Sequence, residues 1–471
     1  MNKIWISTVS LVLVASGAWF GSALVMGNSI ETKMTQDTQQ LFERFSPLVK
    51  LESIDYQKGL TTATRTMKIR LGNDANAEPI VWRDDIQYGP FPGFNQVAMA
   101  IVHSGFVLTE EQQAALKKEL GLTAAPLSIV TKVGFDQSTT SEATVPSVEA
   151  RMSDGAFLRW QGLVLKGNAK GDQLDVSIQA PLLAFSHPET QTSLQVTGYQ
   201  SQGHYNKGGY WWLYTGNEET KVESIVMTSQ QQLDAEYVPT KVEMNRLLSH
   251  TTTTLVDNLL SRSGQLSLDF QTDKVRVDGF MIHDAVNRIH APTLDAIIST
   301  LSSPAVLQSF ASTNGDSDAL EKAMKDASLQ LAKLLPFDPE YSLDKVAFSL
   351  DGAQGQMSLS VGVKGITEAE INNQDPSYLL TKIVAQASSK LPNAWIKSIM
   401  LQDLSEDERK AVSEEDIQEV LNSTLAQLVE AGYVTQEGQF LVSKASLQNG
   451  VVELNGEKVP LLDIVAAQSA E

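Results

Sequence analysis

"DQLDVSIQA", Asp172 to Ala180, decides the fold. Leu174, Val176, Ile178 and Ala180 alternate with polar neighbours. That period of two marks a strand with one covered face. The pattern recurs outward. "TSLQVTGY" alternates at Leu194, Val196 and Gly198, and "YWWLYTG" and "KVESIVMTS" read as further strands. Gly, Asn and Asp clusters separate these runs at the spacing of an antiparallel meander. Upstream, "TRTMKIRL" sets Met67, Ile69 and Leu71 on one side and Lys68 and Arg70 on the other. Downstream, "GQLSLDFQTDKVRVDGF" and "KVAFSLDGAQGQMSLSVGV" each read as a hairpin.

Helices punctuate the strands. "TEEQQAALKKELG" has a capping box at Thr109 and Gln112 and a left-handed cap at Gly121. A helical block is expected from His283 to Leu335, with Leu320, Met324, Ala327, Leu331 and Leu334 on its buried stripe. Asp375 and Pro376 open another helix, and "SKLPNAWIKSIM" fits helix or strand. Ser413 and Asp416 cap a helix whose Ile417, Leu421, Leu425 and Leu428 face inward and which Gly432 closes. Asn449-Gly450 and Asn455-Gly456 are tight-turn signals for a closing hairpin, with a short helix after it.

The expected fold class is therefore α+β: an N-terminal transmembrane helix, then a mainly antiparallel β-sheet body with packed helices in the C-terminal half. Four segments follow. Residues 1–30 form a signal anchor, and 31–125 a stalk helix and a first α+β segment. Residues 126–280 form the β-rich sheet, and 281–471 a helix and hairpin region.

The anchor rests on charge. Lys3 is the only charged residue before Glu31, and Ile4 to Met26 is uncharged and mostly apolar. A bilayer core needs about 20 such residues. A cleaved signal peptide has a shorter apolar core and a small-x-small site, which this run lacks. Lys3 and the α-amino group stay cytoplasmic, leaving the bulk of a single-pass chain across the membrane. Gly17 and Gly21 lie four apart, a spacing that lets two membrane helices pair closely.

Composition excludes several functions. The 471 residues carry a formal net charge of −20, which opposes nucleic-acid binding. There is no cysteine, so disulfides, thiol nucleophiles and zinc ribbons are excluded. Six histidines occur without an HExxH pattern, and no GxSxG elbow is present. No catalytic residue, metal or cofactor is assigned. Tyr210, Trp212 and Tyr214 are a candidate aromatic platform on one face of a strand.

"QYGPFPGF", Gln87 to Phe94, is the remaining motif. Pro90 and Pro92 fix φ and lack N–H groups, so the segment leaves its strand as a stiff corner. Tyr88, Gly89, Pro90, Phe91 and Pro92 are read as structural with a candidate binding role, and Phe91 is expected to point into the protein's own core. The anchor, this Gly-Pro-Phe-Pro motif and the closing "NGVVELNGEKVPLLDIV" together resemble the YdgA family, nearly end to end. That family carries His before Gly-Pro-Phe-Pro, where this chain has Tyr88, so a proton-transfer or metal role at that position does not transfer. The resemblance implies an inner-membrane location in Gram-negative bacteria, a periplasm-facing bulk and a homodimer, with no established activity. The favoured expectation is a non-enzymatic, membrane-tethered protein acting by self-association or envelope partners. The alternatives are a lipid-handling module, whose apolar sheet face holds acyl chains, and a hydrolase whose site forms only on folding.

Overall fold

The computed structural model describes residues 38–461 apart from 41, 44–47, 72–77, 95, 124, 234–235, 274, 312–316, 351, 372–375 and 403–412. The signal anchor, Gly17 and Gly21 lie outside the described residues, as do Asp375 and the segment after residue 461. Among the described residues no helix is long and apolar enough to cross a membrane.

The expected α+β class, a mainly antiparallel β-sheet body with packed helices in the C-terminal half, is corrected here, while its N-terminal transmembrane helix falls outside the described residues. The described residues are mostly antiparallel sheet, 57% strand against 22% helix. Strands dominate the C-terminal half too. His283 and His290, expected on a helix, sit in a strand that ends only at His290. The ambiguous "SKLPNAWIKSIM" divides into a strand through Pro392 and a helix from Asn393. Backbone contacts divide the chain into two compact units, Met1–Lys221 with Asp295–Ser328, and Val222–Leu294 with Leu329–Glu471.

The first unit is a meander. β1 (Val49–Lys58), β2 (Thr62–Leu71), β3 (Ile80–Tyr88), β4 (Ala100–Val107), β5 (Ser128–Val133) and β6 (Thr139–Val145) pair antiparallel in succession. β7 (Val148–Arg151) and β8 (Phe157–Trp160) form a short hairpin. β9 (Leu163–Lys170) returns to β6, and β10 (Gln173–His187) pairs with both β8 and β9. β11 (Thr192–Lys207) pairs with β10, and β12 (Tyr214–Leu233) follows. Met67, Trp82, Leu127, Ile129, Ala143 and Leu165 form one core cluster, and Ala63, Ile86, Ala100, Val102 and Val133 another. Between them the covered face holds a charge pair. Arg65 donates to Asp84 at 2.7 Å, Trp82 Nε1 donates to the other Asp84 oxygen at 2.8 Å, and both charged side chains are at most 5% exposed. The helix Glu110–Leu120 carries the expected capping box at Thr109 and a left-handed cap at Gly121 with φ 69°.

The second unit is built from longer strands. β13 (Glu236–Val256), β14 (Leu259–Thr272), β15 (Arg276–His290), β16 (Glu340–Leu350), β17 (Ala353–Val363) and β18 (Ile383–Pro392) pair in succession. β19 (Thr435–Glu437) and β20 (Phe440–Gln448) pair, and β20 also pairs with β18. β21 (Val451–Leu454) and β22 (Glu457–Pro460) close the edge. Both expected Asn-Gly turns form, with Asn449 and Asn455 at φ 52° and 51°. The helix Glu414–Glu430 has the Ser413–Asp416 capping box and buries Ile417, Leu421 and Leu425.

Of the expected stripe, Ala327 and Leu334 are buried and Leu320 half-buried, and the helix Ser317–Ala332 departs from it at two positions. Met324 and Leu331 are 57% and 52% exposed, while Ala323 and Ala327 are buried.

One loop carries a pH-sensitive clamp. Glu370 accepts hydrogen bonds from the Tyr378 hydroxyl and from the Thr367 backbone and hydroxyl, both at 2.8 Å. The Tyr378 bond foremost, then those from Thr367, holds the Glu370 carboxyl down from 4.5 to about 2. A depressed carboxyl keeps its contribution above its unfolded value and loses it as pH falls through the folded one. The clamp is therefore expected intact above about pH 4.5 and released towards pH 2. Carboxyl-carbon NMR of Glu370 checks this. Tyr378→Phe should move the midpoint upward, and an unchanged midpoint would refute the assigned cause.

Candidate functional site

The Gly-Pro-Phe-Pro corner sits at the β3–β4 connection. Tyr88 is the last residue of β3, and its hydroxyl meets that of Tyr56 at 2.5 Å. Its ring packs with Tyr56 against the second core cluster. Gly89 N–H donates to Met99 O at 2.7 Å, and Ala98 N–H to Pro90 O at 3.3 Å, so the corner closes on itself. The Gly89–Pro90 peptide is cis. Pro92 is among the fully buried side chains, whereas Phe91 is 57% exposed. Pro92, not Phe91, is thus the residue the corner drives into the core. The chain bends at Phe91 and Pro92 opens a single 3-10 turn, Pro92–Phe94, which leaves Phe91 on the outside of the corner.

The aromatic platform is rearranged. Residues 208–213 form a turn, closed by Gly208 N–H to Leu213 O at 2.8 Å, and no strand runs through them. Tyr210 and Trp212 stack with centroids 5.7 Å apart, and Trp212 Nε1 donates to Asp295 at 2.8 Å. Tyr214 opens β12 and instead meets Tyr205 edge-on at 6.5 Å. Burial, and then the Glu218 carboxylate 3.0 Å away, push the Tyr205 hydroxyl above its ordinary value. The glycines Gly208 and Gly209 signalled this turn in the sequence, and the dense aromatic run obscured it.

The second unit holds a surface that the sequence did not single out. Register places Leu266 beside Ile282, Ile282 beside Val346, and Val346 beside Met357. The next rows place Leu343, Leu359, Ala387, Ala445 and Leu454 in line, and Tyr341, Val361, Ala385, Leu447 and Val452 in line. This is one apolar face across β14 to β21, yet none of these side chains is buried. Tyr341, Leu359 and Val361 are each 39% exposed. Among the described residues one end is covered: Trp395 stacks on Phe348 at 4.3 Å and fills the space over Gly355, and Leu441 packs with Leu421 and Leu425. Ser358, Ser360, Gln386, Ser388, Lys444 and Ser446 alternate with these rows on the opposite face, and together with Leu343, Leu359, Ala387 and Ala445 they line a concavity of about 570 Å³.

Reactive groups are sparse. Among the described residues no cluster of three or more His, Asp and Glu side chains could hold a metal ion. His283 and His290 are separated along β15, and burial lowers the His290 imidazole, which stacks on Phe337 at 3.8 Å. His204 meets Asp175 at 2.7 Å, but the pair is exposed and no serine is among its hydrogen-bond partners. No curated protein and no solved structure matches the chain significantly. The profile of the family described as bacterial protein of unknown function (DUF945) matches residues 1–462, and the chain belongs to that family.

Proposed function

We propose that the protein is a membrane-attached envelope protein that handles lipid, with the apolar face of its second unit receiving acyl chains. The observation that carries this reading is the half-exposed apolar row from Leu266 to Leu454. Water-facing sheets normally alternate so that their apolar side is covered. A contiguous uncovered apolar surface marks a binding or membrane site. An acyl chain suits it because the row is aliphatic and unbroken by charge: Leu343, Leu359, Ala387, Ala445 and Leu454 lie in sequence across five strands. The uncharged run Ile4–Met26 supports attachment to the inner membrane with the bulk of the chain in the periplasm, and the resemblance to the YdgA family agrees.

The test uses the full chain in its native membrane. A photocrosslinking phenylalanine analogue replaces Leu359, or Gln386 on the opposite face as control. Mass spectrometry should find lipid adducts at 359 and few at 386. Adducts at 359 that are only a second copy of the chain would favour the self-association reading and remove the lipid one.

A further inference from the structure

Three hairpin ends of the first unit expose large apolar side chains on the same rim. The β1–β2 turn presents Leu60 at 102% exposure, the β3–β4 connection Phe91 at 57% and Val97 at 60%, and the β5–β6 turn Phe135 at 59%. In an antiparallel meander every second connection leaves at the same end. Backbone bonds tie these three together: Tyr88 N–H donates to Thr61 O at 2.8 Å, Gly89 N–H to Met99 O at 2.7 Å, and Met99 N–H to Val133 O at 2.8 Å. Single exposed apolar residues are ordinary. Four on adjacent turns of one rim form a patch, and a patch marks an interaction surface.

Two further observations name the occupant. The first is where the chain enters the unit. Thr38 is 4% exposed and accepts a hydrogen bond from Arg65 Nη1 at 3.0 Å. Arg65 lies three residues along β2 from Thr62, so this contact is about 10 Å from the rim. The eleven residues 27–37 separate Thr38 from the uncharged run Ile4–Met26. Extended, they reach at most about 40 Å. A bilayer that takes up the uncharged run is therefore within reach of the rim. The second observation is charge. The whole chain carries −20, but Lys58 and Lys132 flank the rim, and its Asp136 is paired with Lys170 at 2.8 Å. With the exposed Asp172 of the adjoining β9–β10 turn included, Lys58, Lys132 and Lys170 still offset Asp136 and Asp172, so these groups leave the rim without the net acidic character that anionic headgroups would repel.

We propose that this rim contacts the lipid bilayer, with Leu60, Phe91, Val97 and Phe135 entering the boundary between headgroups and acyl chains. Apolar side chains at such a boundary gain by leaving water, and aromatic ones sit well there. The rim then fixes the orientation of the first unit on the membrane. The inference rests on the membrane attachment proposed above and is independent of the lipid-binding face of the second unit.

The absence of cysteine makes the test direct. Single cysteines replace Leu60, Val97 or Phe135, and Ala114 on the helix at the opposite end serves as control. Each carries a nitrobenzoxadiazole label. The full chain is reconstituted into vesicles of phosphatidylethanolamine and phosphatidylglycerol with brominated acyl chains. Labels at 60, 97 and 135 should be quenched several-fold more than the label at 114. The double variant Phe91→Asp, Phe135→Asp should abolish the excess quenching at 97 while the chain still floats with the vesicles. Equal quenching at all four positions in a chain that co-floats would overturn the rim alone. A chain that does not co-float would overturn the membrane attachment and the rim with it.

Discussion

Asp84→Ala is expected to destabilise the first unit by about 3–5 kcal/mol, because it removes the buried carboxylate that the Arg65 guanidinium and the Trp82 indole both hold. The pair lies on the covered face, with Arg65 at 5% and Asp84 at 2% side-chain exposure. Little solvent reaches this site to replace the lost carboxylate, and Trp82 Nε1 loses its acceptor as well. Thr38 still accepts from Arg65, but a neutral hydroxyl offsets little of the loss. The double change Arg65→Met, Asp84→Leu should recover most of the deficit, since an apolar pair of similar volume carries no desolvation cost. Urea unfolding, with amide exchange on β2 and β3 to localise the transition, measures both. A cost for Asp84→Ala below about 1 kcal/mol, the level of an exposed pair, would refute the buried description.

Gly89→Ala is the second large effect. A Cβ at this position would lie 2.0 Å from Ala98 O and 3.0 Å from Met99 O. Both neighbours are backbone, and both belong to the connection that Gly89 itself closes by donating to Met99 O. Relief requires the corner to open, which breaks that bond and lifts Pro92 from the core. Overpacking of this kind costs about 1–3 kcal/mol, and the lost bond adds about 1 more. Gly171→Ala is the control. Its Cβ would meet nothing within 4 Å, and its φ of 59° carries the left-handed cost of about 1–2 kcal/mol alone. If Gly89→Ala costs no more than Gly171→Ala in the same unfolding assay, the corner is not closed as described. The absence of an alanine at 89 is thus a matter of space between two segments, and the turn-like composition of "QYGPFPGF" only hinted at it.

Elements that depend on near neighbours were legible. The Thr109–Gln112 and Ser413–Asp416 capping boxes formed as spaced, because each joins groups three residues apart. The hairpins at Asn449 and Asn455 formed because φ above zero suits Asn and Gly. Alternation identified β10, β11, β14 and β17 as strands. Where two local signals competed, the reading failed. At 208–213 the glycines outweighed the aromatic β-propensity, so Tyr214 left the platform. On the helix Ser317–Ala332 the stripe held at Ala327 but not at Met324 or Leu331, and the neighbouring Ala323 is buried instead.

The remaining features could not be read along the chain. Arg65 sits in a run whose other basic residues face outward, and its register with Asp84, nineteen residues away, supplies a buried counter-charge that the run itself does not announce. The apolar row of the second unit joins Leu266 to Leu454 through strands that are consecutive in space but interrupted in sequence by helices. The rim of the first unit gathers Leu60, Phe91, Val97 and Phe135 from three turns up to 75 residues apart. By itself the sequence determined the strand periodicity, the caps, the tight turns, the acidic cysteine-free composition and the uncharged N-terminal run, since each is a property of a short stretch and its own side chains. The tertiary structure alone decided which apolar faces stayed uncovered, which charges became a buried pair and which loop tips met, because burial and register depend on residues that only folding brings together.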